Sequence, residues 1–236
     1  MLEQRSYQKE LLDQDDIPFD DIRQNMKELD KVNSLLGGHK VSCKGAGMFL
    51  RRIIELKRPV HIAEIGCGGG DNLLALQKFF KKNNVACKFT GIDIKPECIA
   101  YAIKKNRALD ATWVISDYRS VQWLGGNKPD IIFSSLFCHH FTDPELIEQL
   151  RWMRANSYFG FFINDLHRHP VAYYSIKCLT TVFSRSYLVK NDAPISVMRG
   201  FKKEEWKNLL HKAGINRFKI SSEWAFRYLV YVKNEH

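Results

Sequence analysis

The sequence predicts one α/β domain built on a mostly parallel seven-stranded sheet that ends in an antiparallel hairpin and carries a helical cap at its N-terminus. Three observations lead there. From Val60 onward, short apolar runs alternate with amphipathic stretches of helical length, the pattern of strand-helix units in a parallel sheet. A glycine cluster, Gly66-Cys67-Gly68-Gly69-Gly70, joins the first of these runs to its helix. The last two runs are separated only by Glu223 and its neighbours, so no crossover helix fits between them and they should pair antiparallel.

Taken in order, the first 47 residues should form the cap. One helix is expected from Glu3 to Leu12 and a second from Phe19 to Leu36, the latter marked by Ile22, Met26, Leu29, Val32 and Leu36 at helical spacing. Gly37-Gly38 stops it, and a third helix should run from Gly45 to Lys57 ahead of Pro59. Residues 48–236 then make the ligand-binding domain. Strands are expected at 60–65, 88–93, 111–115, 130–135, 159–164, 215–221 and 226–232, with helices at 71–82, 96–107, 143–156 and 202–213. The stretch 171–200 is long for a connection and rich in apolar and aromatic residues, among them Tyr173, Tyr174, Leu179 and Phe183, which suggests a lid or a substrate wall.

A chain of 236 residues with 45% hydrophobic content supports one full core with a small appendage, and two independent domains would be cramped. No apolar run reaches the roughly 18 residues of a membrane span, and the N-terminus is charged where a signal peptide would be apolar, so a cytoplasmic protein is expected. Cys43, Cys67, Cys87, Cys98, Cys138 and Cys178 are scattered without a CxxC pair or a zinc-site spacing, which points to reduced thiols and to no metal centre. The net charge of +10 permits an anionic partner, but the basic residues form no run of five and nucleic acid is not the favoured partner.

The glycine loop places bare backbone where a nucleoside-bearing ligand approaches closely. Counted from Gly66, the sixth position is Asp71, so the NAD fingerprint fits poorly. The second strand ends in Asp93, whose carboxylate can accept hydrogen bonds from both hydroxyls of a ribose, and the third ends beside Asp117. With Glu64 ahead of the glycines, these features resemble the acidic-x-Gly-x-Gly-x-Gly loop and following acids of class I S-adenosylmethionine (SAM) dependent methyltransferases. The resemblance covers roughly residues 50 to 232 and implies a Rossmann-like methyltransferase fold with SAM as donor and S-adenosylhomocysteine as product. It further implies a cofactor site made by Glu64, Gly66, Cys67, Gly68, Gly70, Asp93, Ile94, Asp117, Tyr118 and Ser134, with Asp93 on the ribose and Asp117 on the adenine amino group.

After the fourth strand, Ser134, Ser135, Phe137, His139 and His140 lie at the C-terminal edge of the sheet, where open α/β sheets bind ligands. The Asn/Asp-Pro-Pro-Tyr/Phe motif of base methyltransferases is absent there, and the segment looks more like the His-His stretch of ubiquinone- and menaquinone-type enzymes. The fifth strand leads into Asn164-Asp165-Leu166-His167-Arg168-His169-Pro170. A neutral imidazole can deprotonate a phenol or enol near neutral pH, and His140 and His167 are the preferred pair. Arg185, Lys190 and Arg199 are candidates for an acidic group on the substrate. The whole pattern, including LLGGHK, CHHF and INDLHRHP, also resembles methyltransferases encoded beside polyketide-type pathways. The expected reaction is therefore O-methylation, ahead of C-methylation, of a small hydroxylated aromatic, quinone-like or polyketide-like metabolite. An RNA or protein methyltransferase, or a SAM-binding protein without catalysis, is the alternative.

Overall fold

The computed structural model describes residues 2–14, 17–123 and 126–235. Seven strands, β1 (Val60–Ile65), β2 (Cys87–Asp93), β3 (Ala111–Ile115), β4 (Ile131–Ser135), β5 (Gly160–Leu166), β6 (Phe218–Glu223) and β7 (Arg227–Lys233), form one sheet in the order β3-β2-β1-β4-β5-β7-β6. The strands β1 to β5 run parallel, whereas β7 pairs antiparallel with both β5 and β6. Because β1 lies between β2 and β4, the chain reverses its direction of winding there, and the C-terminal ends of those strands open a crevice.

Strand alternation divides the core into two layers. Ala63, Ile65, Ile132, Phe161 and Ile163 pack on one face with Leu146, Leu150 and Met153 of α6 (Asp143–Asn156) and with Trp206 of α9 (Lys203–Lys212). Val60, Ile62, Ile131, Phe133 and Phe162 point to the other face. There they meet α2 (Gly38–Gly47), α3 (Leu50–Ile54) and α4 (Asp71–Lys82). Helices α4, α6 and α9 and all seven strands follow the expected order, and α5 (Pro96–Lys105) ends two residues short of its expected limit.

The N-terminal block departs from expectation in two places. Residues 2–14 form no helix from Glu3 to Leu12; they run extended except for a single 3-10 turn at Leu11–Asp13. Tertiary partners take the backbone donors that a helix would use. Asp192 accepts from the amides of Leu11 and Leu12, and the Met198 carbonyl accepts from Ser6. The expected helix from Gly45 to Lys57 is instead the pair α2 and α3, because Gly37 ends α1 (Phe19–Leu35) and at once caps α2. Helix α2 lies directly on β5, and a Cβ on Gly45 would come within 2.4 Å of the Phe162 ring. Strand β6 begins at Phe218 and not at Ile215, whose amide closes the end of α9 on the Leu210 carbonyl.

Residues 170–199 fold as a helical hairpin, α7 (Pro170–Phe183) and α8 (Tyr187–Arg199). Glu28 of α1 accepts from the Ser184 hydroxyl and from the amides of Arg185 and Ser186 at the hairpin turn. The extended N-terminal strap, α1 and α8 thus meet over the C-terminal edge of the sheet.

Candidate active site

The cofactor side is built from consecutive turns. Gly66, Gly68 and Gly70 all have positive φ, which turns β1 sharply into α4. A side chain at Gly66 would strike Phe137 at 2.2 Å, whereas a Cβ at Gly68 would meet nothing within 4 Å. The loop therefore leans on the segment after β4 at one end and faces open space at its centre. Asp93 fastens this geometry. Its Oδ2 accepts from the Gly68 amide at 2.9 Å and its Oδ1 from the Lys95 amide at 3.0 Å. Burial raises its pKa against those two hydrogen bonds.

Glu64 is fully buried beneath the loop. One carboxylate oxygen accepts from Asn72 Nδ2 at 3.1 Å, and the other has no partner among the described residues. Burial, with Asp71 and Asp93 nearby, pushes its pKa well above the usual carboxylate range. An unmatched buried oxygen and a glycine facing open space together fit a ligand that brings a cationic amino group to the loop. Ile94 stands exposed beside Asp93, and Cys67 is buried with its thiol pKa raised by burial.

The remaining cofactor candidates are placed differently from one another. Asp117 is bound by the Arg119 guanidinium, whose Nε donates at 3.0 Å, and this contact holds its carboxyl below the usual range. Tyr118 is buried in the core, edge-on to Phe137, Phe141 and Trp152, and burial pushes its hydroxyl up to about 12. Ser134 is fully buried, 3.3 Å from Cys138 Sγ. The side chains of Tyr118 and Ser134 therefore face protein, while Glu64, the glycines, Asp93 and Ile94 gather around the crevice.

After β4, Leu136 has φ 53, an uncommon conformation for a branched residue, and it swings the chain out of the strand into the 3-10 turn Cys138–His140. His139 is buried, with Nδ1 2.7 Å from Asp165 of β5. His140 has 23% of its side chain exposed, with Nδ1 3.0 Å from Asp13 of the strap. The two rings lie 4.4 Å apart, and Glu10 of the strap completes the cluster. Burial raises the pKa of Glu10. Burial also opposes ionisation of Asp13 and Asp165, but the adjoining histidines hold both of those carboxyls below the usual range.

Arg199 does not face a substrate. It is 4% exposed, and its guanidinium donates to the carbonyls of His139 and His140 at 2.9 and 2.7 Å and to Asp13 at 3.0 Å. Its role is to clamp the histidine turn to the strap, while Arg185 and Lys190 stay exposed. His167 keeps different company from His140. It packs on Tyr228 at 4.7 Å and on His169 at 5.4 Å, and burial lowers its pKa. Sequence reasoning missed Glu10, Asp13 and Asp165 as neighbours of the histidines. No local spacing links positions 10, 139 and 165; only the path of the strap does.

The model of the methyltransferase domain family matches residues 62–156, the span from β1 through α6. Together with the sheet order described above, this matched domain supports a SAM-dependent methyltransferase with SAM as its cofactor. No curated protein matches the sequence. Among solved structures it is similar to the plantazolicin methyltransferase BpumL in complex with S-adenosylhomocysteine, at 20% identity and a TM-score of 0.63 over 91% of this chain and 99% of that one. It is also similar to a SAM-dependent methyltransferase from Aquifex aeolicus, at 20% identity and a TM-score of 0.58 over 89% and 96% of the two chains. Human N-acetylserotonin methyltransferase in complex with SAM gives 16% identity and a TM-score of 0.60 over 92% and 57%.

Proposed function

We infer that this methyltransferase acts on a hydroxyl oxygen of a small aromatic, quinone-like or polyketide-like acceptor. The observation that carries the reading is the arrangement over the crevice. The strap, α1 and α8 cover the C-terminal edge of the sheet, where Glu10 and Asp13 of the strap meet the imidazoles of His139 and His140, the latter 6.5 Å from the ring of Phe137, which itself leans on the glycine loop. A covered site with polar groups at one point and aromatic walls suits a compact acceptor presenting a hydroxyl.

Glu64 and the loop amides hold the amino-acid end of the cofactor, Asp93 its ribose, and Ile94 and the Asp117 turn its adenine. When bound, SAM supplies an electrophilic methyl on a sulfonium. As the acceptor oxygen takes that methyl group, its hydroxyl proton would pass toward the histidine turn and solvent, and the thioether left behind would stay held by Glu64, the loop amides and Asp93. His140, the more accessible of the two histidines, is the group that orients the hydroxyl. The reading rests on His140 and not on His167, which is packed against β7.

The test supplies SAM with a labelled methyl group and a panel of phenols and hydroquinones, and follows the label. Methyl ether formation that falls about 100-fold in His140→Ala, with S-adenosylhomocysteine affinity unchanged, supports the reading. Label appearing on RNA or on a protein lysine or arginine instead would replace it.

A further inference from the structure

We propose that Glu10, His139 and His140 form a binding site for a divalent first-row transition-metal ion. One candidate donor atom from each of the three residues lies within 4.8 Å of the others. His139 Nε2 is 3.6 Å from Glu10 Oε1, and His140 Nε2 is 3.9 Å from Glu10 Oε2. These separations are too long for hydrogen bonds. They are close to the distance of about 3.4 Å between two ligand atoms of one tetrahedral ion with bonds of about 2.1 Å.

A second observation is independent of those distances. Each imidazole has its Nδ1 held by its own carboxylate, Asp165 at 2.7 Å for His139 and Asp13 at 3.0 Å for His140. A carboxylate on Nδ1 fixes the tautomer that carries its proton there and leaves the Nε2 lone pair free. Both free lone pairs are thereby presented to the same Glu10 carboxylate. This is the outer shell that metal-ligating histidines carry, duplicated on two adjacent residues.

The rest of the surroundings hold the donors still. Arg199 fixes the carbonyls of both histidines, and Ser196 donates to Glu10 Oε1 at 2.7 Å. Two imidazoles and one carboxylate select zinc, iron or cobalt over magnesium, which prefers an all-oxygen shell. The partial exposure of His140 leaves room for a further ligand. On the functional reading above, on which this role depends, that ligand is the acceptor hydroxyl. Coordination would acidify it, its proton would pass to water, and His140 would act on it through the ion. Glu10 lies on the strap, so the same ion would also pin the strap over the crevice.

The experiment titrates the full, chelator-treated chain with Zn²⁺ by calorimetry and with Co²⁺ by visible absorption, beside a titration with S-adenosylhomocysteine. The expected result is one equivalent bound, with nitrogen-ligated cobalt bands and no binding of Mg²⁺. Affinity should fall at least 10-fold in Glu10→Gln and in His140→Gln, and 10- to 100-fold in Asp165→Asn, whose side chain holds His139 Nδ1 and accepts from the amides of His139 and Leu166 without facing the ion. Retained S-adenosylhomocysteine binding certifies that each variant is folded. No bound ion, or binding that survives Glu10→Gln and His140→Gln but is lost in Cys178→Ser or His211→Ala, overturns the proposal. Ion binding without methyl transfer to any hydroxyl leaves the site standing and removes the functional reading.

Discussion

The two halves of the crevice are built in opposite ways. The proposed cofactor half is local: Glu64, the glycines and Asp93 sit on two adjacent parallel strands and the turns that follow them, and the Gly68 amide meets Asp93 directly. The proposed acceptor half is assembled from residues 10, 13, 139, 140, 165 and 199, held by buried and partly buried charges far apart in the chain. A binding site made of short turns depends on backbone shape, and a change there should alter affinity while leaving the fold intact. A site made of distant charged groups depends on every partner being present, and a change there should loosen the structure.

The largest effect that separates the halves is expected from Arg199→Met. Removing this cation takes one donor from Asp13, which keeps His140 and the Glu10 amide, and takes the guanidinium from the carbonyls of Gln8, His139 and His140, a loss of about 3 kcal/mol. Urea denaturation measures it, and limited proteolysis should show cleavage within residues 2–14 while S-adenosylhomocysteine still binds. Equal loss of cofactor affinity would show that the halves are not independent. Asp93→Ala is the converse, weakening S-adenosylhomocysteine by about 1.5–3 kcal/mol in calorimetry, with the strap as resistant to protease as in the parent.

Glu64→Gln sharpens the comparison inside the cofactor half. The raised pKa of Glu64 means that the folded chain holds this proton more tightly than the unfolded chain. Its stabilising contribution is complete below the ordinary value of 4.5 and is lost as pH rises through the folded value. The amide removes that dependence, so the ligand-free variant should match or exceed the parent in melting temperature at pH 8. Cofactor affinity should nonetheless fall about 10-fold through loss of a charged acceptor.

The smallest effect lies outside both halves, at His61 on β1. Burial lowers its pKa from 6.5 to about 4, and Thr90 Oγ1 lies 2.8 Å from its Nε2. The unfolded chain therefore gains a proton near pH 6.5 that the folded chain refuses until about 4, so stability falls as pH drops through that window. His61→Gln should reduce this fall by on the order of 1 kcal/mol, measured by denaturation at pH 7 and pH 4.5. A pH dependence unchanged by the substitution would move its origin to the charged acceptor half.

The same contrast accounts for what was readable beforehand. Strand and helix positions from residue 60 to 166 were legible because apolar period and glycine turns act over a few residues. The strap was not, since Glu3 to Leu12 carries a fair helical pattern that loses to the Asp192 carboxylate nearly two hundred residues away. Nor was the buried polar chain beneath the glycine loop. Asn164 donates to Ser42, Ser42 to Asn72 and Asn72 to Glu64, so that α2, α4 and β5 are tied at the level of the cofactor side.

By itself the sequence determined the class of sheet, its closing hairpin and the glycine turn at the C-terminal end of β1, because each is encoded by contiguous residues whose backbone preferences need no distant partner. Only the tertiary structure decided which histidine meets which carboxylate, that Arg199 turns inward, and that Glu10 faces His139 and His140. Those pairings follow from burial. A charge removed from water must find an opposite charge or a donor, and the choice among many carboxylates and cations is made by the route of the chain, which local pattern does not specify.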